Sequence, residues 1–484
     1  MFLSPLNMVV LMLLFPAGDE TENPWKDKVP AAVKQVGKRA TLDALREALD
    51  VTWRADDWRA GLNVAERALK NDGAAPKLRG MIVRALWRAG RIEEAERLAS
   101  KSGAESTDRA ALRMLIVIHL ARGEDKLAGQ AADRLEKLGE LTADDLYHVF
   151  AARMALKQAD GQVDLLRKAE KLAAARNGYP DNYIAESIEG VASFLEQVGP
   201  KSLNQIARYG AAPLSALVLF NLPSCDVLVN GHGPYRMVID TGGSIMLALD
   251  QTVADEIGLK SIATASVRGV SGKQETGQAL VEELQIGTIA CRRVITRIFD
   301  VKSAIMGAAD GIIGTGMFGD GRMTLDFATG QLIVSPSGTK PGPGQAVELR
   351  LVGDAKLMTP VKLAGQPAMA LLDTGADVVA MSPSRLKELF PDQDIPTFNP
   401  GLALGVGAGQ TPSISLGPGV DLVVGGRKFD KYGGLGLDVL DNVLSPVIGV
   451  QTDILVGMPL FREMKSCTVD FPRCKMWVDW LRRD

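Results

Sequence analysis

Residues 237–244 read MVIDTGGS, and residues 370–377 read ALLDTGAD, so an Asp-Thr-Gly triplet occurs twice in this chain. In both copies a run of apolar residues ends on an aspartate, Asp240 or Asp373, and the chain then reaches glycine. Glycine allows a tight turn and lets backbone N–H groups approach a carboxylate. Each copy therefore predicts a buried strand that delivers a carboxylate to a sharp turn.

The similarity between the two regions extends beyond the triplet. Downstream of the first copy the chain reads GIIGTGMFGDGRMTLDF, and downstream of the second it reads ILVGMPLFREMKSCTVDF. Aligning Gly314 with Gly457 also aligns Asp326 with Asp470, at nearly equal offsets of 143 (457 − 314) and 144 (470 − 326). Before each triplet, two short apolar runs flank a turn that contains glycine. One internal duplication explains these spacings and predicts two similar all-β lobes.

A pair of carboxylates supplied by two such lobes has a specific chemistry. Two carboxylates about 3 Å apart do not both ionise readily, so they share a proton. The ionised member can take a proton from a water held between them, and the protonated member can hydrogen-bond an amide carbonyl. A threonine hydroxyl in each turn can bond across to the other turn. The duplicated motif thus points to acid–base hydrolysis by Asp240 and Asp373.

These residues resemble the pepsin-like and retropepsin-like aspartic proteases over roughly residues 222–481. Val238-Ile239-Asp240-Thr241-Gly242 with Ile312-Ile313-Gly314, and Leu371-Leu372-Asp373-Thr374-Gly375 with Leu455-Val456-Gly457, carry the resemblance. The lobes resemble retroviral-type monomers fused in tandem, closer to bacterial aspartyl proteases than to pepsins. The resemblance implies a bilobal acid-protease fold, an endopeptidase with a peptide or protein substrate, and no metal or other cofactor. It also implies support of the catalytic carboxylates by Thr241, Gly242, Ser244, Thr374 and Gly375.

The resemblance further implies which residues bind substrate. Asp377 follows the second triplet, where retroviral enzymes have an aspartate that contacts the substrate backbone. Two glycine-rich segments, SVRGVSGKQETG and ALGVGAGQTPS, are candidate flaps, and their glycines would let backbone groups bond an extended peptide. The residues in question are Gly269, Gly272, Gly407 and Gly409. Neither segment contains the tyrosine found in pepsin flaps, and two ordinary hairpins remain an alternative.

The N-terminal part differs from the rest of the chain in composition and in the spacing of its apolar residues. From about residue 25 to 210 it is rich in Ala, Leu, Arg and Glu, with apolar residues at helical spacing. Gly90 followed by Ala95 recurs as Gly123 followed by Ala128, a period of 33 residues (123 − 90). This pattern resembles tetratricopeptide-type helical hairpins, and a generic helical array is the alternative. Such an array offers a concave surface that can recruit a substrate or a protein partner.

The predicted domain organisation follows from these changes in composition and hydrophobic pattern along the chain. It comprises a signal peptide (1–18), a helical domain (25–210), a first protease lobe (222–336), a linker rich in Pro and Gly (337–345) and a second lobe (346–484). The short apolar run near the N-terminus is too brief to span a bilayer and suits a secretory signal, which predicts export.

Composition excludes several other classes. A net charge of −3 with mixed signs argues against a nucleic-acid partner. The three histidines are scattered and no Cys-x-x-Cys occurs, which argues against a metal site. Cys467 and Cys474 either form a disulfide across a hairpin or remain buried free thiols. The segment 314–319 fits Gly-x-Gly-x-x-Gly, but a predicted hairpin follows it where a dinucleotide site needs a helix.

Two functions therefore stand against each other. One is an aspartic endopeptidase with an accessory helical domain. The other is a non-catalytic scaffold in which the β lobes hold a peptide. Two juxtaposed carboxylates favour the enzyme, since they would destabilise a protein that only binds.

Overall fold

The N-terminal half of the protein is an array of α-helices. The computed structural model describes residues 25–38, 40–102, 107–158, 160–174, 181–200, 203–217, 221–243, 246–269, 272–353, 355–398, 413–432 and 434–482. Its first ten α-helices are α1 (Val29–Lys38), α2 (Leu42–Arg54), α3 (Trp58–Leu69), α4 (Arg79–Arg88), α5 (Ile92–Ala99), α6 (Arg109–Ala121), α7 (Asp125–Glu136), α8 (Ala143–Ala155), α9 (Gln162–Ala174) and α10 (Asp181–Val198). Within the described ranges, no helix has both the length and the apolar character needed to cross a membrane.

The 33-residue period corresponds to two helical hairpins. Gly90 lies between α4 and α5, and Gly123 lies between α6 and α7, with φ of +75° and +67°. Glycine is favoured there because a side chain is strained in that left-handed conformation. Ala95 and Ala128 lie on the second helix of each hairpin and are fully buried. Small residues at these positions let the stacked helices approach closely.

The first β lobe begins soon after the last helix of the array. Its strands are β1 (Gln205–Arg208), β2 (Gly210–Pro213), β3 (Ser215–Ala216), β4 (Pro223–Val229), β5 (His232–Asp240), β6 (Leu247–Asp250), β7 (Ala263–Gly269), β8 (Gly272–Ile286), β9 (Ile289–Phe299), β10 (Gly311–Gly314), β11 (Gly321–Asp326) and β12 (Gln331–Pro336). Two short helices, α11 (Gln251–Glu256) and α12 (Val301–Ala304), interrupt them. The segment 314–319 forms a 3-10 turn followed by the β11–β12 hairpin, which is not a phosphate-binding helix.

The second lobe has the same plan. Its strands are β13 (Gln345–Val347), β14 (Arg350–Val352), β15 (Lys356–Leu363), β16 (Gln366–Leu372), β17 (Val379–Met381), β18 (Thr397–Phe398), β19 (Ile414–Leu416), β20 (Val420–Val424), β21 (Arg427–Tyr432), β22 (Leu435–Leu437), β23 (Ile454–Val456), β24 (Met464–Asp470) and β25 (Lys475–Trp480). Its helices are α13 (Pro383–Leu389), α14 (Ser445–Ile448) and α15 (Met458–Phe461), with a π-helical turn at Leu440–Leu444.

Equivalent strands in the two lobes pair with their neighbours in the same directions. In the first lobe β10 lies parallel to β5 and antiparallel to β6. In the second lobe β23 lies parallel to β16 and antiparallel to β17. The strands that carry the two Asp-Thr-Gly motifs, β5 and β16, therefore occupy the same position in their sheets. The predicted combination of an all-α region and a bilobal all-β protease fold is confirmed.

A third sheet joins the lobes. Among the described strands its order is β13-β25-β24-β11-β12-β2. Antiparallel β11 and β24 meet at its centre, where Thr324 pairs with Thr468 and their hydroxyls lie 2.9 Å apart. These two residues occupy equivalent positions in the duplicated sequence, so a local pseudo-twofold axis passes between them.

The helical array is packed directly against the β lobes. Buried apolar residues of α1–α8 share one core cluster with residues of the second lobe, among them Met358, Leu371 and Leu455. At the same interface, Arg350 donates to both carboxylate oxygens of Glu96, over 2.7 and 3.0 Å. The helical array is therefore packed against the second lobe through a shared hydrophobic core.

The four cysteines are free buried thiols. Cys467 lies opposite Val478 in the β24–β25 ladder, whereas Cys474 sits in the turn and directs its thiol at the carbonyl of Ala121. The disulfide considered from the sequence is absent between these two described residues. The domain boundaries remain predictions: α10 ends at Val198, and β1 already pairs with β9 of the first lobe. The predicted signal peptide lies outside the described residues.

Candidate active site

Asp240 and Asp373 sit at the ends of the two equivalent strands. Asp240 is the last residue of β5, and Asp373 immediately follows β16. The three residues before each aspartate are almost completely buried, which anchors both strands in the lobe cores. Gly314 of β10 lies beside Asp240, and the backbone N–H of Asp373 donates to the carbonyl of Val456 in β23 over 3.0 Å.

The two turns are locked together by their threonines. The Thr241 hydroxyl donates to the carbonyl of Leu372 (2.8 Å) and accepts from the N–H of Thr374 (2.9 Å). In return, the Thr374 hydroxyl donates to the carbonyl of Ile239 (2.6 Å) and accepts from the N–H of Thr241 (3.1 Å). Both threonines are buried, so these four hydrogen bonds form out of water and fix the turns against each other.

Each carboxyl group packs against a glycine of the opposite turn. A Cβ atom on Gly242 would lie 2.3 Å from Cγ of Asp373, and one on Gly375 would lie 2.5 Å from Cγ of Asp240. No side chain fits at either position. The absence of side chains at these two glycines brings the two carboxyl groups side by side across the pseudo-twofold axis.

The two carboxyl groups have different environments. Asp240 Oδ1 accepts hydrogen bonds from the N–H groups of Gly242 and Gly243, both at 2.8 Å. Asp373 Oδ1 accepts one, from Gly375 at 2.8 Å. Burial raises the pKa of Asp373 well above its ordinary value, and the charge of Asp240 and a hydrogen bond with it raise that pKa further. The arrangement therefore favours a protonated Asp373.

Lys356 is a further difference between the two carboxyl groups, and it partly opposes the protonation of Asp373. Met358 pairs with Leu371 in the β15–β16 ladder, and extending that register by two residues places Lys356 opposite Asp373. Lys356 is only 2% exposed, and its positive charge lowers the pKa of Asp373, against the larger effect of burial. The same extension of the β4–β5 ladder places Leu222 opposite Asp240, so only one aspartate faces a cation in this way.

The remaining predicted site residues are placed as follows. Asp377 forms an ion pair with Arg462 over 2.5 Å and is partly exposed. Gly269 and Gly272 face each other at the end of the β7–β8 hairpin, as expected for a flap. Ser244 and the second flap, with Gly407 and Gly409, lie outside the described residues. The sequence suggested neither Arg462 nor Lys356 as a neighbour of the site.

Two further aspartates, at equivalent positions in the two lobes, were not identified from the sequence. Asp310 accepts a hydrogen bond from the N–H of Arg236 in β5 (3.0 Å), and Asp453 accepts one from the N–H of Met369 in β16 (2.8 Å). Burial raises the pKa of Asp453 to about 7. Each lies four residues before the glycine of the supporting strand, Gly314 or Gly457. The segments DGIIG and DILVG contained this signal.

Comparison with known proteins agrees with this geometry. A family model described as aspartyl protease matches residues 225–317 and 359–460, one segment in each lobe, and each segment contains an Asp-Thr-Gly turn. Each lobe therefore contains a segment that is similar to aspartyl proteases. This similarity supports hydrolysis of the aspartic protease type and a peptide or protein substrate.

Solved structures and curated proteins add little to the family match. One similar solved structure is a retropepsin-like aspartic protease from Rickettsia conorii, which is 14% identical over 27% of this chain and 97% of that chain, with a TM-score of 0.18. No curated protein matches the chain.

Proposed function

We propose that the protein is an aspartic endopeptidase in which Asp240 and Asp373 activate one water molecule between them. The observation that supports this most strongly is the packing of each carboxyl group on the glycine of the opposite turn. A dyad requires both acids to reach the same water, and this packing supports such an arrangement.

The roles of the two acids follow from their environments. Asp240, with two backbone donors, acts as the general base and takes a proton from the water as it attacks the peptide carbonyl carbon. Asp373 holds a proton and gives it to the carbonyl oxygen, so a neutral tetrahedral intermediate forms. The proton on Asp240 then passes to the leaving nitrogen as the C–N bond breaks. No covalent bond to the protein forms, and Asp373 recovers its proton when the carbonyl reforms.

The competing function is a peptide-binding scaffold without catalysis. A buried carboxyl group whose pKa is raised by a second carboxyl group destabilises the fold at neutral pH. A protein that only bound peptides would gain nothing from that cost. The energetics of the dyad therefore support the enzyme.

For the helical array we propose a role in recruiting a substrate or a protein partner. The shared core and the Arg350–Glu96 ion pair hold the array in a fixed position against the second lobe. A ligand bound to the free faces of the array would then be held at a constant distance from the lobes.

The proposed function is tested with casein and a peptide library, digested between acidic and neutral pH. A statine-containing peptide, which mimics the tetrahedral intermediate, should inhibit cleavage competitively and bind more tightly than a matched substrate peptide. If the full-length protein cleaves nothing at any pH and binds the statine peptide no better than the matched substrate peptide, the scaffold function replaces the enzyme.

A further inference from the structure

The last helix of the array, α10, packs against the β7–β8 hairpin, which is the first candidate flap. β7 lies at the edge of its sheet, and among the described strands only β8 pairs with it. An edge strand is held by its sheet on one side only. Contacts from outside the sheet therefore decide how firmly this hairpin is held in place.

Two contacts attach α10 to β7. A Cβ atom on Gly190 of α10 would lie 2.8 Å from the carbonyl oxygen of Thr264 and 3.1 Å from Cβ of Ala265. Only a glycine lets the helix approach the strand so closely. Near the end of the same helix, Nε2 of Gln197 donates to the carbonyl of Ile262, just before β7, over 2.6 Å.

A buried polar link attaches α10 to β8 as well. Gln278 of β8 pairs with Ala263 in β7 and with Arg297 in β9. Its amide oxygen accepts from Nη1 and Nη2 of Arg297 (2.7 and 2.9 Å), and its amide nitrogen donates to the carbonyl of Gly190 (2.9 Å). Gln278 and Arg297 are each only 1% exposed. Breaking such buried hydrogen bonds is costly, because water does not replace the lost partner.

The helix α10 is itself held on both sides. Arg167 of α9 donates to both carboxylate oxygens of Glu196, over 2.8 Å each. Arg293 of β9 donates to the carbonyl of Val198, the last residue of α10, over 2.6 Å. Phe194 is buried in the core cluster that includes the first lobe. This helix therefore connects the rest of the array to the base of the hairpin.

We propose that α10 positions the β7–β8 hairpin over the bound substrate, with Gln278 as the positioning residue that links them. Cα atoms of β7 come within 8 Å of the π-helical turn at Leu440–Leu444, so the hairpin reaches from the first lobe to the second. A peptide held at the dyad would meet a hairpin already in place and would not have to order it. The inference rests on the proposed function, because it concerns how that same site holds its peptide.

The link is tested by hydrogen–deuterium exchange on the full-length protein and its Gln278→Glu variant. The new carboxylate still accepts from Arg297 but has no N–H for the carbonyl of Gly190, so only the link to α10 is broken. Backbone amides of residues 263–269 and 272–278 should exchange about fivefold faster or more, because local opening becomes easier. Exchange in β4 should stay unchanged.

The consequence for the reaction is tested with a peptide substrate and with the statine-containing peptide. In Gln278→Glu, KM and the Kd of the statine peptide should rise about threefold or more, with kcat within about twofold, because binding must now order the hairpin. Gln285→Glu is the matched control. It makes the same change in the same strand, where the amide contacts only the carbonyl of Gly287 among the described residues. It should alter neither exchange in the hairpin nor KM.

Gly190→Ala is a second, independent variant. Its methyl group would push α10 away from Thr264, so the same changes in exchange, KM and Kd should follow. Gly37→Ala in α1 is its control, since a Cβ atom there meets only Nη1 of Arg67, at 3.5 Å. If Gln278→Glu fails to fold, as judged by circular dichroism, Gly190→Ala decides the question.

Three results would overturn the proposal. These are unchanged exchange of the hairpin in the folded variants, faster exchange with unchanged KM and Kd, and equal effects in the control variants. A wild-type protein that cleaves no peptide would instead remove the proposed function. The exchange data and the Kd of the peptide would still show whether α10 positions the hairpin.

Discussion

At the scale of single residues, the two Asp-Thr-Gly motifs have the same sequence but different chemistry. Asp240 accepts two backbone hydrogen bonds, whereas Asp373 accepts one and faces Lys356. Such differences give the shared proton a preferred carboxyl group, whereas two equivalent carboxyl groups would hold it equally. The neighbours of each motif decide which carboxyl group holds the proton.

Lys356 should set the pH range of activity. Its positive charge favours the ionised form of Asp373 and so lowers the pKa of that carboxyl group. Lys356→Met removes the charge, so the pKa of Asp373 should rise and the proton should be lost only at higher pH. The alkaline limb of kcat/KM against pH should therefore move to higher pH. Lys356→Arg, which keeps the charge, should leave the limb in place, and a limb that stays put or moves to lower pH in Lys356→Met would refute this role.

Gly242 should tolerate no side chain. The methyl group of Gly242→Ala would overlap the carboxyl group of Asp373, so the dyad must separate. Displacement of a catalytic group by about 1 Å costs on the order of a hundredfold in rate, and kcat/KM should fall by at least that factor. Gly338→Ala is the control, because a Cβ atom there meets nothing within 4 Å. Comparable activity in the two folded variants would mean that Gly242 does not position the dyad.

At the scale of secondary-structure elements, the duplication determines how the lobes meet. Thr324 and Thr468 are equivalent in the two copies, and they pair with each other where β11 meets β24. The Asp-Thr-Gly turns meet about the same kind of axis, through reciprocal threonine bonds. The lobes therefore contact each other through identical positions.

The threonine bonds should contribute strongly to stability. Thr241→Val keeps the shape of the side chain but leaves the N–H of Thr374 and the carbonyl of Leu372 without partners in a buried region. The free energy of unfolding, measured by urea denaturation, should fall by about 2–4 kcal/mol. Thr241→Ser, which restores the hydroxyl, should recover most of this loss. A loss below about 0.5 kcal/mol would show that the hydroxyl is not needed to join the turns.

The elements that repeat could be predicted from the sequence. Features that depend on packing between distant segments could not. The two aspartates, the equivalent strands and the β7–β8 hairpin could be predicted, because apolar runs and glycines mark them locally. The Asp310–Asp453 pair was also readable from its spacing before glycine. Lys356 could be recognised only once the strand register was known, because only the pairing of β15 with β16 places it opposite Asp373.

At the scale of the whole molecule, the helical array and the lobes form one body. Apolar residues on the array helices could equally have packed within the array, so the sequence did not indicate that many of them face the second lobe. Glycines at the hairpin turns contribute to this docking: a Cβ atom on Gly90 would lie 3.3 Å from the carbonyl of Gln451, and one on Gly123 would lie 3.2 Å from Cys474. The repeat period therefore reflects interdomain contact as well as helix stacking.

The Arg350–Glu96 ion pair should couple the array to the second lobe. Both side chains are only 13% exposed, and the guanidinium group contacts both carboxylate oxygens. A double-mutant cycle with Arg350→Met and Glu96→Gln should give a coupling energy of about 2 kcal/mol or more in urea unfolding.

The exposed pair Arg46–Asp43 serves as the control for that cycle and should couple by less than about 1 kcal/mol. Equal coupling in the two cycles would mean that the array is held by its apolar contacts alone.

In the proposed mechanism, Asp240 and Asp373 act together on one water molecule. The most direct test measures peptide hydrolysis by Asp240→Asn and Asp373→Asn. Asp326→Asn is the control, because within the described part of the chain the Asp326 side chain accepts a hydrogen bond only from a turn N–H. Each dyad variant should fold normally and lose at least about a hundredfold in kcat, whereas the control should retain its activity. Hydrolysis at the wild-type rate by either folded dyad variant would contradict the account.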